Sequence, residues 1–163
     1  MRYILEQKTE NSIDMGEMDN SFFLIGLLSE FMNRYQTVAD KCFGEISWKQ
    51  CFVLICIPFF QTPPTLKELS EMMGTSHQNV KQMLIKLEKA GFVSFMPDEK
   101  DRRKQRILLT EKADTFAREH DEISQTYMEQ LFETVDEKSL EITIQTIMRL
   151  DEQLKKMQEG LSK

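Results

Sequence analysis

The sequence predicts a mainly α-helical fold with a small two- or three-stranded β element. Apolar residues recur at helical spacing over most of the chain. Capping-box and glycine signals cut that pattern into helices of ordinary length. Only 6 Gly and 4 Pro are present, too few for a turn-dense β fold. The 163 residues suit one domain, spanning 1–163, that buries its own core. Hydrophobic residues make up 40% and charged residues 29%, and mean hydropathy is −0.43, a balance that predicts a soluble globular chain rather than a disordered one.

Residues 1–18 are polar and weakly patterned and fit a loose arm or a short extra helix. Asp19-Asn20-Ser21 supplies N-cap candidates. Phe22 to Val38 then form a helix that is apolar on more than one face, and Gly44 ends it. Ser47 and Gln50 make an S-x-x-Q capping box ahead of Trp48, Phe52, Val53 and Ile55. Pro58 and Pro63-Pro64 stop that helix. Thr65 and Glu68 make a T-x-x-E box for a short helix over about 66–73, closed by Gly74. Thr75 and Gln78 form a third box pattern, and Val80, Met83, Leu84 and Leu87 mark one face of a helix over about 77–90. Two helices joined by a short Gly-containing turn read as a helix-turn-helix.

Phe92, Val93 and Phe95 form one β-like run and Ile107 to Leu109 a second, around the polar tip PDEKDRRKQ. Thr110 caps the next helix, with Ala113 and Phe116 early in it. A last amphipathic helix runs from about Glu137 to Gln158. A helix-turn-helix followed at once by a charged hairpin is a winged helix-turn-helix. Its second helix is slim enough for the major groove, and its hairpin reaches phosphates or the minor groove.

The net charge of −6 opposes nucleic-acid binding when taken alone. Its distribution does not. Residues 62–112 hold ten Lys/Arg and seven Asp/Glu, a balance of +3, which leaves −9 for the rest. On the second helix, Gln78, Asn79, Lys81, Gln82 and Lys86 lie opposite the apolar stripe, and Ser76 and His77 stand at its start. Asn and Gln suit adenine edges; Lys suits phosphate or guanine. With Thr65 on the preceding helix and Lys100, Asp101, Arg102, Arg103 and Lys104 at the hairpin tip, they form the expected site for double-stranded DNA.

The run from Thr65 to Ala113 resembles the MarR family of winged helix-turn-helix regulators. The recognition helix and the tip with its spaced "DRR…LT" carry the resemblance, which extends over about residues 20–155. The resemblance implies a homodimer, with 1–46 and 120–163 as dimerisation helices and 47–112 as the DNA-binding lobe. It implies that Asp101 orients the wing and that Arg103 enters the minor groove. It also implies a transcription regulator, by family habit a repressor, on a palindromic operator, released by a small apolar or aromatic effector. Phe23, Leu27, Trp48, Phe52 and Phe116 suit such a pocket by residue type. The chain departs from the family pattern at Ser94-Phe95-Met96, where basic residues are usual, and at Ala113, where Gly is common. The first change weakens phosphate contacts or exposes an apolar strand.

Two other readings use the same fold: a thiol-based redox regulator and a dimeric interaction protein that does not bind DNA. Three Cys without a C-x-x-C pair make no disulfide framework. Cys51 and Cys56 read as buried and structural, which leaves Cys42, beside Lys41, as the sensor candidate. His77 and His120 are the only imidazoles, so no metal site is expected, and no cofactor motif or catalytic set is found. The charged N-terminal stretch and the short longest apolar run, Phe52 to Phe60, predict a cytoplasmic protein without a membrane span.

Overall fold

The computed structural model describes residues 19–161; the arm-or-helix expectation for residues 1–18 lies outside them. The helices are α1 (Asn20–Phe43), α2 (Trp48–Cys56), α3 (Leu66–Met72), α4 (His77–Lys89), α5 (Glu111–Phe132) and α6 (Glu137–Leu161). A 3₁₀ turn over Ile57–Phe59 follows α2, and strands β1 (Val93–Pro97) and β2 (Gln105–Leu109) lie between α4 and α5. The described residues fall into two compact units. The first ends at Phe116 and the second begins at Ala117, a boundary inside α5.

Local chemistry sets the helix starts in the first unit. The Asp19 carboxylate accepts from the Ser21 N–H at 2.8 Å and caps α1. Both predicted boxes form at α2 and α3, through Ser47 with Gln50 and Thr65 with Glu68. The third does not. Ser76, not Thr75, is the cap of α4, and its hydroxyl accepts from the Asn79 N–H at 3.2 Å. The helix starts one residue later than the box pattern implies, so Asn79 rather than Gln78 falls at the third position. Its short amide donates instead to Thr75 Oγ1 at 3.2 Å. Gly44, Gly74 and Gly91 all take positive φ; at Gly74 (60°) this turns α3 into α4 within a few residues.

The core forms where α2, α3, α4, the hairpin and the first turns of α5 meet. Val53, Leu69, Val80, Leu87, Phe92 and Ile107 are fully buried there. The hairpin is antiparallel, with Val93 opposite Leu109 and Phe95 opposite Ile107. A third strand is present only as a stub. Thr65 bridges Arg106, and the Ile107 N–H donates to the Pro64 carbonyl at 2.9 Å. Phe95 packs on the core, while Ser94 and Met96 are exposed. The departure at 94–96 therefore puts one apolar side chain inward and one on the surface.

In the second unit, the Asp136 carboxylate caps α6 by accepting from the Ser139 N–H at 3.0 Å. That helix buries none of its residues, although Leu140, Ile144, Ile147, Met148 and Leu154 recur along it. No single helix among the described residues is long and apolar enough to cross a membrane; α1 and the α2 segment reach that hydropathy only jointly, and they meet at 84°.

Leu87 seats α4 on the core. Leu87→Ala is expected to lower unfolding free energy by about 2–5 kcal/mol, whereas Lys67→Ala, which loses only an exposed 3.7 Å pair with Glu71, is expected to change it by less than about 0.5 kcal/mol. Urea denaturation of the two variants checks both values.

Candidate nucleic-acid interface

The apolar stripe Val80, Leu84 and Leu87 pins α4 to the core, and the opposite side faces outward. Ser76, His77, Gln78, Asn79, Lys81, Gln82 and Lys86 are all exposed. Two of them are already engaged locally. The Ser76 hydroxyl caps the helix, and the Asn79 amide holds Thr75. Gln78, Lys81, Gln82 and Lys86 present their side chains outward. Ile85 joins them at 46% exposure; sequence reasoning passed over it, although it lies off the buried stripe. Thr65 contributes differently from the helix-face residues. Its hydroxyl donates to Glu68 Oε2 at 2.8 Å and accepts from the Glu68 N–H at 3.3 Å, so it serves first as a cap.

The hairpin tip is organised by two aspartates. Asp98 is buried, and its Oδ1 accepts from the N–H groups of Lys100 (2.9 Å) and Asp101 (2.8 Å). Those backbone bonds and the Arg106 guanidinium hold its carboxyl below the usual aspartate range. Asp101 accepts from Arg103 Nε at 3.0 Å and from the Arg103 N–H at 3.2 Å, which lowers its pKa in turn. The Arg103 side chain is 91% exposed beyond that contact. Lys100, Arg102 and Lys104 are exposed beside it.

Arg106, which the sequence analysis does not single out, turns inward, and its side chain is only 25% exposed. Nε donates to Asp98 Oδ2 at 2.6 Å, and one terminal nitrogen donates to the Pro63 carbonyl (3.0 Å) and Glu68 Oε2 (3.2 Å). No local sequence signal finds this: alternation puts Arg106 on the face opposite buried Ile107, which the pattern alone reads as outward.

The effector-pocket residues are only partly brought together. Trp48 stacks on Phe52 at 5.9 Å between ring centroids and meets Tyr35 edge-on at 4.9 Å. Phe116 joins this cluster through Phe43 and is itself buried. Phe23 and Leu27 are half-buried on α1. Phe23 precedes Tyr35 by twelve residues, about 18 Å along a helix axis, so Phe23 stands apart from the Trp48 cluster. Cys51 and Cys56 are buried, and desolvation pushes the Cys51 thiol up to about 11. Cys42 is partly exposed. Among the described residues, no group of three or more His, Cys, Asp or Glu could hold a metal ion.

Residues 46–104, from the entry to α2 through the wing tip, match the MarR family model. Over that stretch the winged lobe is similar to the MarR family. The MarR fold continues on both sides of it, as solved structures show. A MarR transcriptional regulator from Methanosarcina mazei Go1 is 26% identical, with a TM-score of 0.67, over 81% of this chain and 97% of that one. The S. aureus MepR–DNA complex is 17% identical, with a TM-score of 0.72, over 83% of this chain and 99% of that one. Streptococcus pneumoniae FabT in complex with DNA is 19% identical, with a TM-score of 0.63, over 85% and 99%. Among curated protein sequences, none matches the chain.

Two measurements check the winged lobe's geometry. The lowered carboxyl of Asp98 makes its contribution complete above the ordinary aspartate range and lost as pH falls through the lowered value. The amide shifts of Lys100 and Asp101 are therefore expected to titrate with a midpoint below about 3.9, the unperturbed aspartate pKa; a midpoint at or above it would show the carboxylate unheld. At pH 8, a thiol reagent is expected to modify Cys42 rapidly and Cys51 and Cys56 only on unfolding. Equal rates for all three would contradict the burial.

Proposed function

We propose that this protein is a homodimeric transcription regulator that binds a palindromic operator in duplex DNA and acts as a repressor. The observation that carries the reading is the pairing of an outward polar and basic face on α4 with an Arg103 guanidinium held at the exposed tip of the wing. The helix suits base edges in the major groove; Arg103 suits the negative potential of a narrow minor groove. The DNA complexes formed by MepR and FabT, which share the fold, support this assignment. Residues 47–112 are then the DNA-binding lobe.

Residues 1–46 and 120–163 supply the dimerisation helices. The support is the apolar surface that these segments leave exposed. Phe22, Ile25, Phe31 and Met32 on α1 and Ile144, Met148 and Leu154 on α6 are each more than a third accessible in the single chain. A dimer sets two recognition helices about one DNA turn, ~34–36 Å, apart. A small apolar or aromatic effector that favours another spacing releases the operator, by its differential affinity for the two geometries. The Trp48–Phe52 stack supplies an aromatic wall for such a molecule. The protein acts in the cytoplasm, where its target DNA lies.

The overall charge of −6 makes non-specific attraction modest, so operator sequence and dimer geometry dominate. Duplex DNA from the region upstream of the protein's own gene is expected to bind with an affinity that falls steeply with salt. Arg103→Ala is expected to weaken it about tenfold and reduce the salt slope by about 1. Binding indifferent to salt, or no binding to any native upstream duplex, would refute the regulator reading in favour of a DNA-independent interaction protein. Light scattering should give twice the 19.2 kDa chain mass. Quenching of Trp48, the one tryptophan, reports small aromatic compounds in a screen.

A further inference from the structure

The inward guanidinium of Arg106 is the one basic group of the hairpin segment that the DNA-binding reading does not use. Its contacts cross between two parts of the lobe. On one side lie the Pro63 carbonyl and Glu68, at the entrance to α3. On the other lies Asp98, at the base of the wing tip. Backbone pairing runs alongside, through the Thr65–Arg106 bridge and the Ile107 N–H bond to Pro64.

The contacts continue outward without a gap. Asp98 fixes the N–H groups of Lys100 and Asp101. Asp101 in turn accepts from both the backbone and the guanidinium of Arg103. The Asp98 N–H donates to the Lys104 carbonyl at 3.0 Å, and the Lys104 N–H to the Asp101 carbonyl at 2.8 Å, which closes the tip on itself. The core holds the root of the hairpin at Val93 and Ile107, but the tip projects beyond that core and could swing relative to the entrance of α3. The planar fork of arginine removes this freedom, because it satisfies acceptors on both parts from one rigid group.

We propose that Arg106 is a positioning residue for DNA recognition: through Asp98 and Asp101 it sets where the wing presents Arg103, without touching DNA itself. The inference rests on the DNA-binding reading given above. It excludes Arg106 as a phosphate contact. It also makes the N-terminus of α3, the tip aspartates and the exposed arginine one mechanical unit.

The test is a double-mutant cycle on operator affinity, measured by fluorescence anisotropy with the native upstream duplex at several salt concentrations. The proteins are wild type, Arg103→Ala, Arg106→Met and the double variant, each checked by thermal melting. If Arg106 places Arg103, Arg103→Ala costs about tenfold in the wild-type background and less than about twofold in the Arg106→Met background. The salt slope falls by about 1 in either single variant and no further in the double. Equal costs in the two backgrounds, or a further fall of slope in the double variant, overturn the proposal; the latter would make Arg106 a phosphate contact of its own. Should Arg106→Met melt below the assay temperature, Asp98→Asn replaces it in the cycle, because the amide oxygen still accepts from the tip N–H groups while the charge facing Arg106 is gone. A wild type that binds no duplex refutes the regulator reading and this inference together. A wild type that binds, with an additive cycle, refutes the inference alone.

Discussion

Phe92 is buried at the point where the recognition helix, the wing and α5 meet. Its N–H donates to the Leu87 carbonyl at 2.9 Å and so closes α4. Its carbonyl accepts from the Thr110 N–H at 3.1 Å, and the Thr110 hydroxyl donates to the neighbouring Gly91 carbonyl at 2.6 Å, which ties that end to the start of α5. Its ring meets Phe116 edge-on at 5.3 Å and lies under the Lys112 ammonium at 4.3 Å. That lysine also donates to the Ala90 carbonyl and pairs with Glu45. One residue, by its backbone and its ring together, therefore fixes the exit of α4, the root of the hairpin and the first turn of α5. Gly91, at φ 82°, is what lets the chain turn sharply enough to place it.

With the root held in this way, polar contacts decide what the surface presents. The wing holds three kinds of basic residue that look alike in composition. Lys100 and Arg102 project into solvent, and Lys104 does so with a 4.0 Å pair to Asp101. Arg103 projects but is steered by Asp101. Arg106 points inward and joins Asp98 to Glu68. Of the ten basic residues over 62–112, Arg106 is held inside the lobe by acids of the same segment, so the outward positive charge is concentrated at the wing tip and on α4.

The two ends of the chain differ from the lobe in what they leave uncovered. The lobe buries its aliphatic stripe completely, at Val80, Leu87 and Leu69. The long helix α6 buries nothing in the single chain although its apolar residues recur at helical spacing. A helix patterned for burial but left exposed is patterned for a surface outside the unit to which it belongs.

Much of the fold was legible in residue order because it follows from chemistry within a few positions. Serine, threonine and aspartate side chains reach only nearby N–H groups, so the boxes at Ser47 and Thr65 could be read directly. Gly44, Gly74 and Gly91 marked helix ends because only glycine adopts positive φ without strain. The same locality explains the miss at α4. Thr75 and Ser76 are both competent caps one residue apart, and the apolar stripe's seating on the core selects Ser76. What the sequence determined by itself is the order of elements, the outward face of the reading helix and the cluster of charge at the wing. Tertiary structure alone decided which basic side chains project from the wing and which turns inward, and that Phe116 joins Trp48 through Phe43. The inward turn depends on a partner 43 residues away in sequence, as Arg106 is from the Pro63 carbonyl. No local rule of spacing specifies such a pair; it exists because the buried core brings β2 beside the segment before α3 and leaves a buried carboxylate and a free carbonyl to be satisfied.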